Sequence, residues 1–447
     1  MRVTNREIAV KRTAGEPWIA AVGRGLGEGL PAGGYPLRFF ISRAGVAEAT
    51  VEATMVEVDA DHRFAPRFAG VEAYAPRRKA LPAHPFVAVQ IIPTGVRCEV
   101  GGYAGDAGPA TNLLAAATDF LVTHPNAVNA SDINEMAANV LYVEGKSLDD
   151  FMLGHLGLAT VTGNRIGTFV DPSGRHLLDE VVNTLNAGRA TKGIDCGLYA
   201  LLDREPGLAV AWSGAGCAVG TIGDPDAIFE GVELLVRHGA EAIGGVSVIH
   251  GVTEAMFARH LAGALPNPSG GIEAIVTHLI SKVFRLPTAH APLPYYKDIK
   301  GRATSNPRAA AEFISTPHYF SVLKGLARAP RPIELAGLGQ VPANLLSLNN
   351  VAAVVVPASC LGGIPALAAD YSGIPLIAVR ENRTVLDVTN AQMAMPNVVE
   401  VESYLEAAGV LLALRSGISL ESLRRPLGRA RQVFTEAAAE RLLLAAE

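Results

Sequence analysis

Short apolar runs that end abruptly in glycine or polar residues constrain this chain more than any other feature. The first, Val87–Ile92, is rich in β-branched residues and leads into a glycine-dense loop, Gly95–Gly108. An alanine-rich helical pattern follows. A second run, Phe120–Thr123, then empties into His124, Asn126, Asn129, Ser131, Asp132, Asn134 and Glu135. Val351–Val356 (VAAVVV) and Ile374–Val379 (IPLIAV) have the same character. Continuous apolar runs of this length fit strands buried on both faces, as in a parallel sheet. In such sheets the functional groups sit in loops at the carboxyl ends of the strands.

Helical patterns alternate with these runs. Ser147–Leu158 reads as a helix capped by Ser147, and Leu177–Ala190 is helical by period. Asp224-Pro225 opens another helix, with aspartate as N-cap and proline in the first turn. Strands are expected at Arg165–Asp171, Ile194–Leu202, Leu208–Trp212 and Ala240–Ile249, the last delivering His250. Pro266–Gly271 has the composition of a linker. Beyond it come a helix at Ile272–Phe284, a mixed segment holding Tyr295, Tyr296, Lys297, Asp298 and His318, and a helix at Ile364–Tyr371. Near the start, Leu37–Ser42 and Ala49–Val58 read as strands and Ala75–Pro85 as a basic, proline-rich linker. The expectation is an α/β fold: a mostly parallel central sheet flanked by helices, a small N-terminal α+β unit and a helical C-terminal tail. The corresponding units are 1–85, 86–265, 272–400 and 401–447.

Composition narrows the function. The 447 residues are 49% hydrophobic and carry a formal net charge of −5, with basic residues spread along the chain. That is not the footprint of a nucleic-acid binder. Arg424, Arg425, Arg429 and Arg431 lie on a helical pattern and read as a solvated face. Cys98, Cys196, Cys217 and Cys360 form no CxxC pair, so neither a disulfide framework nor a structural zinc site is expected. The N-terminus, MRVTNREIAVKR, is charged and lacks an apolar signal core. No run approaches the ~20 apolar residues of a membrane helix. These features predict a soluble, cytoplasmic protein that engages neither membrane nor nucleic acid. The mean hydropathy of +0.26 fits a deeply buried sheet together with a homo-oligomer interface.

Several of these stretches carry a resemblance. PTGV…GGYAGDA, THPNAVNASDINE, YVEG, HLISK…PTAHAP and CLGGIPALA…GIPLIAVREN together resemble the family of uncharacterised proteins named for domain of unknown function 3326, from about Phe86 to Asn382. The resemblance implies an ancestral site and brings no assigned activity.

The candidate chemistry falls into four groups. Thr94, Gly101, Gly102 and Asp106 belong to the glycine loop, whose backbone N–H groups could cradle a carboxylate or phosphate. The loop has neither G-x-G-x-x-G nor P-loop spacing, and its glycines equally suit tight packing. His124 and Asp132 form the second group, as proton carrier and carboxylate, with Asn126 and Asn129 orienting a substrate. A divalent metal on His124, Asp132, Glu135 or Glu144 is the alternative, although no H-x-E or HExxH spacing supports it. Cys360 and Cys217 each follow an apolar run and a turn. A pair of thiols so placed is similar to the aspartate/glutamate racemase superfamily, but neither cysteine sits in a C-N-T or C-T-H tripeptide. Cys360 is expected at a helix N-terminus, where the dipole lowers a thiol pKa. Finally, His290 in a loop, with Arg380 and Asn382 after the last strand, could clamp an anion. His278, on a helix, reads as a core histidine.

Together these predict an enzyme acting on a small anionic, carboxylate-bearing metabolite by acid/base or thiol chemistry. An isomerase, lyase or hydrolase fits, with no organic redox cofactor. One alternative is a non-catalytic anion- or nucleotide-binding module built on the glycine loop. The other is a metal-dependent enzyme centred on His124.

Overall fold

The computed structural model describes residues 1–29, 34–68, 74, 76, 83–130, 133–293, 318–430 and 432–433. Ser131, Asp132, Tyr295, Tyr296, Lys297, Asp298 and most of the expected linker before Pro85 lie outside the described residues.

In chain order the elements are β1 (Arg2–Lys11), α1 (Trp18–Gly29), β2 (Gly34–Ala44), β3 (Glu48–Glu57), β4 (Val87–Gln90), α2 (Gly108–Ala116), β5 (Phe120–Thr123) and α3 (Pro125–Val128). Next come β6 (Val140–Tyr142), α4 (Gly145–Met152), β7 (Leu156–Ala159), β8 (Ile166–Val170), α5 (Leu178–Lys192), β9 (Leu198–Leu201), β10 (Leu208–Trp212), β11 (Ala218–Ile222), α6 (Pro225–Arg237) and β12 (Ala242–Val248). Then follow α7 (Glu254–Leu261), α8 (Gly270–Phe284), β13 (Thr288–Leu293), α9 (Tyr319–Leu326), β14 (Arg331–Glu334) and β15 (Leu345–Leu346). The chain closes with β16 (Val351–Pro357), α10 (Ile364–Tyr371), β17 (Leu376–Val379), α11 (Asn390–Met393), β18 (Val398–Val401) and α12 (Tyr404–Arg415).

The fold is α/β, built on two parallel sheets. One has six strands in the order β18-β17-β16-β4-β5-β6 and the other four, β13-β12-β8-β9. Every pairing in both is parallel. Val87, Val89, Val122, Val354, Val355 and Ile377 are fully buried, as the unbroken apolar runs require. Each such side chain contributes roughly 1.5–3 kcal/mol of burial. A three-stranded antiparallel sheet, β1-β3-β2, forms the N-terminal unit with α1.

The order of the six-stranded sheet matters most for function. From β4 the chain builds outward to β5 and β6; from β16 it builds the other way to β17 and β18. The seam between β4 and β16 is therefore a topological switch point. The loops leaving its carboxyl edge diverge there and open a crevice.

Several expectations are corrected. Pro266–Gly271 does not divide the molecule: both parallel sheets contain strands from either side of it. Gly270 and Gly271 open α8 and are buried. A Cβ on Gly270 would lie 2.3 Å from Thr94 Oγ1, and one on Gly271 2.3 Å from the Ala218 carbonyl oxygen. The glycines allow close packing of a helix start. The helix expected at Ser147–Leu158 is α4, capped three residues earlier by Glu144 and ended by Gly154 at φ +73, after which β7 begins. His290 stands in β13 rather than in a loop. Leu208–Trp212 is half of an antiparallel hairpin with β11, so Cys217 ends the turn just before the returning strand. In the tail only α12 and a short turn at Leu420–Leu423 are helical among the described residues. β1 was not expected, because its two faces are too polar for periodicity to show. It forms by pairing along its whole length with β3.

Candidate functional site

A cavity of about 190 Å³ opens where the carboxyl ends of β4, β5 and β6 meet α8 and β13. The strand ends bring Thr94, His124 and Glu144 to it; α8 brings Glu273, Thr277 and His278; β13 brings His290. The α8 residues arrive together because Glu273 and Thr277 are one turn apart and His278 follows.

Glu144 is the anchor. Its Oε2 caps α4, accepting from the Lys146 and Ser147 backbone N–H groups at 2.8 and 3.1 Å. Oε1 accepts from the Thr277 hydroxyl at 3.1 Å and lies 2.5 Å from His278 Nδ1. The imidazole contact is off the line of an ideal hydrogen bond and is better described as a close nitrogen–carboxylate contact. At that separation Nδ1 must carry a proton, since two lone pairs would repel. Nε2 is left as the basic nitrogen, and it has no protein partner among the described residues. Burial works against the charged form of Glu144, but His278 and the two amides outweigh it, and the pKa falls below the usual value.

His124 is held differently. Its Nε2 accepts from the Ile92 backbone N–H at 2.9 Å. A backbone amide can only donate, so the neutral ring carries its proton on Nδ1. Burial first, and the nearby His278 as well, lower the His124 pKa to about 4 against the pull of Glu144. His124 is therefore a neutral donor at physiological pH.

A second histidine–carboxylate pair faces the same cavity. His290 Nδ1 is 3.3 Å from Glu273 Oε2, and its Nε2 is 2.5 Å from Ser247 Oγ on β12. Both ring nitrogens are engaged, and the side chain is almost fully buried. His290 thus positions Glu273, whose carboxylate is the more accessible partner.

The glycine loop behaves unlike an empty cradle. Asp106 Oδ1 accepts from the backbone N–H of Gly101 at 2.7 Å and of Tyr103 at 3.3 Å, so the loop folds around its own carboxylate. Gly101 and Gly105 have φ of +88 and +75, and a Cβ on Gly105 would meet Ala130 Cβ at 2.0 Å. Asn126 Nδ2 donates to the Ile92 and Gly101 carbonyls, and Asn129 pairs with the Tyr142 hydroxyl. Both asparagines line the cavity, with Thr94 and Gly102.

A second cavity, of about 170 Å³, sits at the switch point itself. Thr94, His124, Gly145, Ala274 and His278 line both, so the two imidazoles stand between them. Cys217 and Cys360 share this second space. Cys360 precedes α10 by four residues and its thiol contacts Thr384 Oγ1 at 3.2 Å. The expected lowering of its pKa is reversed: burial pushes Cys360 up to about 11 and Cys217 up to about 12.

Other candidates are placed elsewhere. Arg380 is exposed and pairs with Glu400 and Glu402, as an ordinary surface cluster. Asn382 is buried, bridging Val100 and the Tyr404 hydroxyl. Glu135 is exposed beside Lys324. Among the described residues no group of three histidine, cysteine, aspartate or glutamate side chains converges as a metal-ligand set. Asp132 lies outside that description.

Sequence reasoning passed over Glu273 and Thr277 and took His278 for core. A signal was present. α8 is otherwise apolar nearly all round, with Ile272, Ile275, Val276, Leu279, Ile280 and Val283 buried, so polar residues in it needed a reason.

A family described as protein of unknown function (DUF3326) matches residues 87–424, which includes all residues named here around the first cavity. An uncharacterized lipoprotein of Synechococcus sp. is 34% identical over 340 residues, covering 75% of this chain and 92% of the relative. No solved structure matches the chain. No described helix is long and apolar enough to cross a membrane.

Proposed function

We propose a function for this chain, which belongs to the DUF3326 family of proteins of unknown function: it is an enzyme that moves a proton on a small carboxylate-bearing metabolite, as an isomerase or lyase. The observation that carries this is the convergence of two histidine–carboxylate pairs and a neutral histidine donor on one small cavity.

In this reading His278 takes the proton. Glu144 holds its Nδ1–H, which orients Nε2 toward substrate and stabilises the imidazolium as it forms. His124 donates its Nδ1–H to the oxygen on which charge develops. A neutral imidazole suits that role, because it stabilises an oxyanion without surrendering its proton. Glu273, positioned by His290, is the second carboxylate and returns or removes a proton on the other side. Proton carriage thus passes from His124 to His278. The cavity, smaller than the ~300–1,000 Å³ typical of drug-sized ligands, calls for a compact substrate. Thiol chemistry is disfavoured because burial keeps Cys217 and Cys360 protonated. Asp106 occupies the loop N–H groups that a non-catalytic anion module would use.

Incubating the full chain in D₂O with a panel of small mono- and dicarboxylic acids tests this by proton NMR. Deuterium should replace a C–H hydrogen beside a carboxylate or carbonyl in at least one compound. His278→Asn should slow the exchange by ~100–10,000-fold, and Glu144→Gln by less. Exchange by His278→Asn as fast as by the parent would sink the reading. We further place the protein in the cytoplasm, where its four free, buried cysteines stay reduced, and assign it to a homo-oligomer. Cell fractionation and light scattering read those two points.

A further inference from the structure

The switch-point cavity holds a cation that the mechanism above does not use. Arg38, on β2, reaches it from the N-terminal sheet. Its Nε donates to Thr54 Oγ1 at 3.2 Å. Thr54 in turn donates to Asn5 Oδ1 at 2.8 Å, and Asn5 Nδ2 donates to the Gly220 carbonyl at 2.9 Å. This chain of bonds ties the guanidinium through three strands to β11. Among the described residues Nε–Thr54 is the only hydrogen bond of Arg38, and no carboxylate pairs with it. The two terminal amino groups are thus left toward the cavity, held in a fork suited to bidentate recognition.

We infer that Arg38 is the receptor for the substrate carboxylate, holding it in the switch-point cavity while the reacting carbon faces His278 and His124. The two imidazoles line both cavities, so a molecule held by the guanidinium in one lies against the wall that carries the base. A single negative charge is the better match. Asp149 lines the same cavity and would repel a phosphate dianion more than a carboxylate monoanion. Phe40, Ile91, Leu148 and Ile364 add apolar wall that suits a carbon chain. Arg38, Thr54 and Asn5 all precede residue 87, where the family match begins. The N-terminal unit therefore completes a site whose base lies in the family core. The inference rests on the proposed acid/base reading for what the bound molecule then undergoes, but the anion capture is measurable without turnover.

Calorimetric titration of the full chain with acetate, succinate and inorganic phosphate tests it. A carboxylate should bind the parent, and Arg38→Gln should weaken it by ~10-fold or more. Arg38→Lys should recover only part, because it keeps the charge and loses the fork. Thr54→Val, which leaves the charge in place and removes its orientation, should weaken binding less than Arg38→Gln. It carries the test if Arg38→Gln fails to fold. Unchanged binding in a folded Arg38→Gln, no carboxylate binding by the parent, or phosphate bound as tightly as carboxylate would each overturn the inference. Arg38-dependent binding without deuterium exchange would overturn the acid/base reading and leave the carboxylate receptor standing. Exchange that survives Arg38→Gln unchanged would do the reverse.

Discussion

A backbone amide decides the protonation of His124. Because Ile92 N–H donates to Nε2, protonating the ring fully would break that bond as well as charge a buried group. Its pKa in the folded protein is about 4, against 6.5 unfolded. On acidification the unfolded chain therefore takes up the proton first. The stability is fully present above pH 6.5 and is lost as pH falls toward 4, by about 3 kcal/mol in all. Glu144, held below its usual value, adds a loss in the same direction at lower pH. Urea unfolding of parent and His124→Gln at several pH values should show a clearly shallower slope in the variant. Some slope should remain from His260, which burial also lowers. Identical slopes would show that His124 is not held neutral. In the sequence His124 follows a buried run, and in the structure it follows β5. The tautomer was invisible in the sequence, because it depends on a backbone atom 32 residues away.

Among the elements, the glycine loop and α8 show how a sequence signal can be read for the wrong reason. The density of glycines was legible, but their purpose was not. Gly105 combines φ +75 with Ala130 pressed against its α-carbon, whereas Gly108 has nothing within 4 Å of a built Cβ and no positive φ. Gly105→Ala should therefore cost about 2 kcal/mol or more, from backbone strain and overpacking. Gly108→Ala, within α2, should be neutral or slightly stabilising. Thermal melts of the two variants decide this; a tolerated Gly105→Ala would mean the loop is not held as described. α8 presents the opposite case. Its helical period was plain in the sequence. Which of its faces lines the cavity is decided by how α4, β11 and β13 pack around it.

At the scale of the whole molecule, the N-terminal unit is part of the body. One continuous core contains Trp18, Val22 and Val51 together with Val87, Val354 and Leu411. A second contains Tyr35 and Leu37 together with Phe169 and Ile272. The Trp18 indole also donates to the Met393 carbonyl. Residues 1–85 should therefore not melt ahead of the rest. In a Trp212→Phe background, Trp18 fluorescence and far-UV circular dichroism should report the same transition. An earlier fluorescence transition would show an independent domain.

The sequence by itself determined that this chain is α/β and where its buried parallel strands run, and it marked the loops after β4 and β5, beside which a cavity opens. Burial on both faces of a strand demands unbroken apolar runs, and that demand is local. The strand order, the seam between β4 and β16, the pairing of His278 with Glu144 and the arrival of Arg38 were decided only by the tertiary structure. Each joins residues far apart in the chain. Their contact depends on which sheets and helices pack together, and no local pattern of residue types records that.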